Sequence, residues 1–83
     1  MEESPALTIL VIDADPRSCQ YLSTLLTQQG YRVLTNTSAK EGYIGALRER
    51  PEVIIFDPAL ADMPAVELVR RLRSDKRTGH SLL

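Results

Sequence analysis

The sequence predicts an α/β protein built on a parallel sheet. Two short apolar runs, Thr8–Ile12 and Val53–Phe56, have no polar alternation and are rich in β-branched residues. Such runs are typical of strands that are buried on both faces under covering helices. Segments with helical spacing separate them from a third, more polar run. The order is β, α, β, α, β, α and the start of a fourth strand, which indicates parallel strands joined by helical crossovers.

Length and composition describe one ordinary globular domain. The chain has 83 residues, 43% hydrophobic and 25% charged, with a formal net charge of -1. This charge argues against general binding to nucleic acid or to acidic membranes. No apolar run approaches the roughly 20 residues of a membrane span, and Met1–Pro5 lacks a signal-peptide pattern. Because a single cysteine, Cys19, also excludes an internal disulfide, we expect a cytoplasmic protein.

The first helix and second strand have clear boundaries. Asp15 and Pro16 predict the helix start, because Asp caps free N–H groups and Pro fits the first turn. Gly30 ends the helix. Tyr31–Thr35 follows as a strand whose polar residues favour an edge position. The predicted apolar stripe of the helix consists of Cys19, Leu22, Leu25 and Leu26.

The second helix is predicted over Ala39–Arg50. Ser38 precedes it as a cap, and Pro51 stops it. The side chains available for burial on this helix are Tyr43, Ile44, Ala46 and Leu47.

A third helix follows the strand Val53–Phe56. Asp62 and Pro64 predict its cap and first turn, and it ends near Asp75. The residues spaced for its buried face are Val66, Leu68, Val69 and Leu72. His80–Leu83 then begins a fourth strand.

Each of the two buried strands ends in an aspartate. Asp13 follows the first strand and Asp57 follows the third. In open α/β sheets, ligands bind at the carboxyl ends of the strands. Two carboxylates at that edge would form an anionic pocket if their strands are parallel neighbours.

From about Thr8 to Leu83, the chain resembles the receiver domain of bacterial two-component response regulators. The matching segments are Val11-Ile12-Asp13, Leu22, Leu26, Gly30-Tyr31, Val33, Glu41-Gly42, Ala46-Leu47, Pro51–Asp57, Leu60, Asp62-Met63 and Glu67-Leu68. The resemblance implies a flavodoxin-like sheet with strand order 2-1-3 and a fourth strand begun. It also implies a signalling protein that is not an enzyme and whose partner is a histidine kinase or a phosphotransfer protein.

The resemblance assigns roles to three residues. Asp57 would accept the phosphoryl group. Mg²⁺ would be held by Asp57, by the backbone carbonyl of Ala59 and, largely through water, by Asp13. Mg²⁺ suits such a site because it prefers hard oxygen ligands. The family usually has a second acid where Ala14 stands, so we expect weak metal binding, with Asp15 used in helix capping instead.

Receiver domains run to about 120 residues. The resemblance therefore implies one partial domain over residues 1–83, which we expect to self-associate through an exposed sheet edge or face.

Two other functions stay open at the level of sequence. Ala14 also fits a pseudo-receiver, a protein-interaction module that works without phosphorylation. Alternatively, Asp13 and Asp15 resemble the nucleophile and general acid of haloacid-dehalogenase-like phosphohydrolases, although Arg17 stands where that family has Thr or Val. The basic run over residues 70–77 is interpreted as a solvated helix end rather than a nucleic-acid site, since cations favour helix C-termini.

Overall fold

A computed structural model describes residues 7–83. Strands and helices alternate within this range: β1 (Thr8–Ile12), α1 (Pro16–Gln28), β2 (Arg32–Asn36), α2 (Ala39–Glu49), β3 (Val53–Phe56) and α3 (Ala65–Ser74). The segment Met1–Pro5, in which the sequence shows no signal-peptide pattern, lies outside the described residues. Among the helices of residues 7–83, none has both the length and the apolar character needed to cross a membrane.

β1 lies at the centre of the sheet, between β2 and β3. Both pairings are parallel, and Leu10 of β1 is partnered by Leu34 on one side and Ile54 on the other. The predicted parallel sheet with strand order 2-1-3 is therefore confirmed. β2 occupies an edge of this sheet, as its polar residues indicate.

The two central strands differ in how fully they are buried. β1 is buried on both faces as predicted, with Val11 packed beside Cys19 of α1 and Ile12 in the core shared with α2 and α3. In β3, Ile54 is buried, but Ile55 on the opposite face is 39% exposed. The expectation that β3 is covered on both faces is therefore wrong. The reason is that α1 packs on β1 and β2 and does not reach β3.

The end of α1 sets the start of β2. Gly30 has a φ of 94°, a left-handed conformation that glycine adopts at little cost. The next residue, Tyr31, donates its backbone N–H to the carbonyl of Leu26. This is the 6→1 hydrogen bond of a Schellman motif, which ends the helix. Because Tyr31 belongs to this ending, β2 begins at Arg32, one residue later than predicted.

α2 packs unusually close to β1. Its N-terminal cap is Ser38, as predicted, whose Oγ accepts the backbone N–H of Glu41 at 3.2 Å. A Cβ atom built on Gly42 would lie only 2.4 Å from Cδ1 of Ile12. The helix ends at Glu49, since Arg50 turns into the left-handed region with a φ of 49°.

Each helix exposes one residue that the sequence assigns to its buried face. These residues are Leu25, Ile44 and Val66, which are 42%, 58% and 77% exposed. The helical rotation of about 100° per residue explains the largest error, because it places Val66 about 160° around the helix from Leu68. Leu68 is fully buried, so Val66 faces away from the sheet.

Asp62 does not cap α3. The cap position is occupied by Pro64, and no side chain accepts a hydrogen bond there. The carboxylate of Asp62 instead accepts the backbone N–H groups of Ala39 and Lys40 in α2, each at 2.9 Å. The free N–H groups at a helix N-terminus attract a carboxylate. Asp62 binds those of α2 rather than those of α3, the helix that follows it in sequence.

The segment after α3 begins a fourth strand, as predicted. Leu82 forms a parallel bridge with Val53 on the side of β3 away from β1. Two fully buried hydroxyl groups hold this segment: Thr78 donates to the carbonyl of Leu72 at 2.7 Å, and Ser81 donates to the carbonyl of Pro51 at 2.6 Å. Both contacts satisfy buried polar groups, which would otherwise be costly.

Candidate functional site

The carboxyl ends of β1 and β3 lie side by side. Ile12 is paired with Phe56, and Asp57 donates its backbone N–H to the carbonyl of Ile12 at 2.9 Å. On the other side of β1, Asp13 donates its backbone N–H to the carbonyl of Asn36 at 3.0 Å. Asp13 and Asp57 therefore follow neighbouring parallel strands directly and lie at the same end of the sheet, where the carboxyl ends of the strands meet.

Asp13 is tied to the start of α1 by two contacts. Its Oδ1 accepts the backbone N–H of Asp15 at 2.9 Å, and its carbonyl accepts a hydrogen bond from Sγ of Cys19 at 3.3 Å. Burial raises the pKa of Cys19, so the thiol keeps the proton that it donates. Cys19 is thus a buried helix residue, as predicted, and it supports the turn that carries Asp13.

Asp57 begins the loop between β3 and α3. Its side chain is half-buried, and its Oδ1 accepts the backbone N–H of Ala59 at 2.9 Å. This contact orients the carboxylate through one of its two oxygens. Ala59, whose carbonyl is the third predicted ligand, is exposed two residues further along the same loop.

Ala14 and Asp15 differ from the acidic pair expected in the family. Ala14 is exposed and carries no charge. Asp15 Oδ1 accepts the backbone N–H of Arg17 at 2.9 Å, so Asp15 caps α1, as predicted. Within residues 7–83, acidic, histidine and cysteine side chains do not gather into a group of three or more that could hold a metal. The carboxyl ends of β1 and β3 thus bring together two acidic residues rather than three.

The loop after Asp57 is anchored to the body of the domain. Leu60 and Met63 are buried in the main core, while Asp62 between them binds the N-terminus of α2. The backbone N–H groups of Lys40 and then Ala39 are the main causes that lower the pKa of Asp62. Sequence reasoning missed this role, because the contacts join residues 22 and 23 positions apart.

Most basic side chains of residues 70–77 form hydrogen bonds or ion pairs within the protein. Glu67 accepts hydrogen bonds from Arg70 and from Arg71. Arg73 donates to backbone carbonyls of the following segment, and Arg77 pairs with Asp75 at 3.0 Å. These contacts agree with the interpretation of the run as a helix end.

The sequence matches the family described as "Response regulator receiver domain" over residues 9–82. It is 30% identical to the probable transcriptional regulatory protein TcrX of Mycobacterium tuberculosis, over 83% of this chain and 30% of that protein. It is 34% identical to the transcriptional regulatory protein KdpE of the same species, over 78% of this chain and 29% of KdpE. The chain thus spans less than a third of these regulators.

Solved structures show the same similarity. The chemotaxis response regulator CheY4 of Vibrio cholerae superposes with a TM-score of 0.88 at 26% identity, covering 93% of this chain and 64% of that one. The N-terminal domain of a response regulator receiver protein from Methanoculleus marisnigri gives a TM-score of 0.78 at 31% identity, covering 89% and 60%. The arrangement of strands and helices is therefore that of these proteins.

Proposed function

Because the chain belongs to the response regulator receiver domain family, we propose that Asp57 is the residue at which it accepts a phosphoryl group in two-component signalling. Receiver domains of this family interact with histidine kinases or phosphotransfer proteins. The observation that carries the proposal is the position of Asp57, at the carboxyl end of β3 and beside the strand that leads to Asp13.

The reaction requires Asp57 to act as a nucleophile. A carboxylate oxygen forms a bond to phosphorus while the bond from phosphorus to the donor's imidazole nitrogen breaks, and the imidazole keeps that electron pair. The hydrogen bond from the Ala59 N–H holds Asp57 in one orientation. Orientation matters because phosphoryl transfer depends on positioning and on charge stabilisation.

We propose Asp13, Asp57 and the Ala59 carbonyl as the groups that hold Mg²⁺. All three offer hard oxygen ligands, and the two acids leave adjacent strand ends, so the donor set fits this ion. When bound, Mg²⁺ neutralises charge between a carboxylate nucleophile and an anionic phosphoryl group. The uncharged Ala14 favours low affinity, since one anionic neighbour of the usual site is missing.

Ala14 also supports a second candidate, a pseudo-receiver that binds partners without phosphorylation. The two candidates differ in one measurable property, which is covalent labelling of Asp57. Intact mass after incubation with acetyl phosphate and Mg²⁺ should rise by one phosphoryl group in the receiver. Asp57→Asn should abolish this gain, and Asp75→Asn, a change at the C-terminal cap of α3, should preserve it. Absence of labelling with saturating Mg²⁺ would favour the interaction module.

The phosphohydrolase alternative fits these observations less well. Its general acid would be Asp15, which instead caps α1 through Arg17. Steady turnover of a generic phosphate ester, in place of single-site labelling, would support that enzyme. Signalling with a kinase fits the cytoplasmic location expected from the sequence.

A further inference from the structure

Asp62 joins the loop after Asp57 to the first turn of α2. Its Oδ1 accepts the backbone N–H of Ala39 and its Oδ2 that of Lys40, both at 2.9 Å. Because both oxygens are engaged, the position and the orientation of the carboxylate are fixed relative to the helix. The partial positive charge at a helix N-terminus strengthens these contacts.

The loop segment between Asp57 and Asp62 is short and held at both ends. At its start, Asp57 bonds to the carbonyl of Ile12 through its N–H and to Ala59 through its carboxylate. Leu60 is 7% exposed and lies in the main core. Ala59 is exposed between these anchors, so its carbonyl is positioned by its neighbours rather than by its own packing.

We propose that Asp62 is a positioning residue for the Asp57 site: its bonds to α2 hold the loop so that the Ala59 carbonyl stays available to Mg²⁺. This inference rests on the proposed function, since it takes Asp13, Asp57 and Ala59 as the metal ligands. Linked equilibria are reciprocal, so bound Mg²⁺ should in turn favour the contact between Asp62 and α2.

Ser38 provides a matched control on the same helix. Its Oγ accepts the backbone N–H of Glu41, so it also satisfies the first turn of α2. This contact spans only three residues and does not reach the loop that contains Ala59. Ser38→Ala should therefore weaken the helix end without releasing the loop, whereas Asp62→Ala should do both.

The experiment compares Asp62→Ala, Asp62→Asn and Ser38→Ala with the wild type. Amide hydrogen exchange at Ala59, measured by NMR without metal, should become about tenfold faster in Asp62→Ala and stay within about twofold of wild type in Ser38→Ala. Asp62→Asn keeps one acceptor oxygen and should be intermediate. Mg²⁺ affinity, followed by NMR titration, should fall about fivefold in Asp62→Ala and remain unchanged in Ser38→Ala.

Equal changes in Asp62→Ala and Ser38→Ala, in exchange or in Mg²⁺ affinity, would overturn the positioning role even if the wild type binds Mg²⁺ and is phosphorylated. The opposite failure is distinguishable. If Ala59 exchange responds only to the Asp62 variants while the wild type ignores Mg²⁺, the anchoring by Asp62 is supported and the proposed metal site fails.

Discussion

The backbone N–H of Asp57 lies 2.9 Å from the carbonyl oxygen of Ile12 and donates to it. This hydrogen bond joins the first residue after β3 to the last residue of β1, which directly precedes Asp13. The spacing of the two acidic residues is therefore set by main-chain pairing of the two strands. A change at Ala14 can alter the charge at this edge without altering the pairing.

Ala14→Asp should increase Mg²⁺ affinity about tenfold, because it adds one carboxylate beside two existing ones. The measurement is a Mg²⁺ titration followed by NMR or calorimetry. Ala14→Asn is the matched control, since it adds similar bulk without charge and should change the affinity little. Equal affinities in Ala14→Asp and the wild type would show that the geometry of the edge, and not its charge, limits binding.

Gly42→Ala should destabilise the fold by about 1–2 kcal/mol. The added methyl group overlaps the fully buried side chain of Ile12, and overpacking of this kind outweighs the gain in helix propensity. Urea unfolding measures the change. Gly45→Ala is the comparison, because its Cβ would meet only the side-chain end of Asn36 at 2.9 Å, and it should cost less. A larger loss in Gly45→Ala would contradict the packing argument.

Leu68→Ala should lower the free energy of unfolding by about 3 kcal/mol, since the Leu68 side chain is fully buried in the main core. Val66 lies on the same helix but is 77% exposed. Val66→Ala should stay within about 0.5 kcal/mol of wild type, because alanine is also the better helix former. Chemical denaturation of both variants tests this contrast, and a comparable loss in Val66→Ala would mean that α3 presents a different face to the core.

The free energy of unfolding should fall as the pH is lowered from about 4 to about 2. The hydrogen bond from Arg77 lowers the pKa of Asp75 to about 2 from 3.8. Because the folded pKa lies below the unfolded one, the contribution of Asp75 is complete above pH 3.8 and is lost as the pH falls toward 2. Denaturation midpoints across this range should fall less steeply in Asp75→Asn and in Arg77→Gln. Profiles parallel to that of the wild type would refute the role of this pair.

We expect this stretch of chain to self-associate through the uncovered face beside β3. By register, Ile55 and Leu82 lie on the same face as Val53, and they are 39% and 66% exposed. Sedimentation velocity should show a concentration-dependent increase in mass that Ile55→Lys reduces. Val66→Lys, an exposed change on α3, should leave it intact. A well-folded monomer at all concentrations would contradict this expectation.

The sheet and its acidic edge were predictable because they depend on local signals. The apolar run that ends at Ile12 and the one that ends at Phe56 each specify a strand of a parallel sheet, and helices between parallel strands leave few arrangements. Once those strands are neighbours, Asp13 and Asp57 must leave at the same edge. Asp15 was assigned correctly for a similar reason, since capping acts over two residues.

Other features depend on contacts that the sequence does not encode locally. Asp62 has a pattern that suits the cap of α3, yet its carboxylate binds the amides of Ala39 and Lys40 far back along the chain. The exposure of Ile55 likewise depends on where α1 lies on the sheet. In both cases, tertiary packing decides the outcome, and it differs from what the local pattern predicts.

The burial of Cys19 supplies an internal probe of folding. The chain has one cysteine and no tryptophan, and Cys19 is 5% exposed on the face of α1 that packs against β1. An alkylating reagent should therefore modify chiefly molecules that have opened around this helix. The rate of mass gain in the unaltered protein then reports how often such opening occurs, without an added fluorophore.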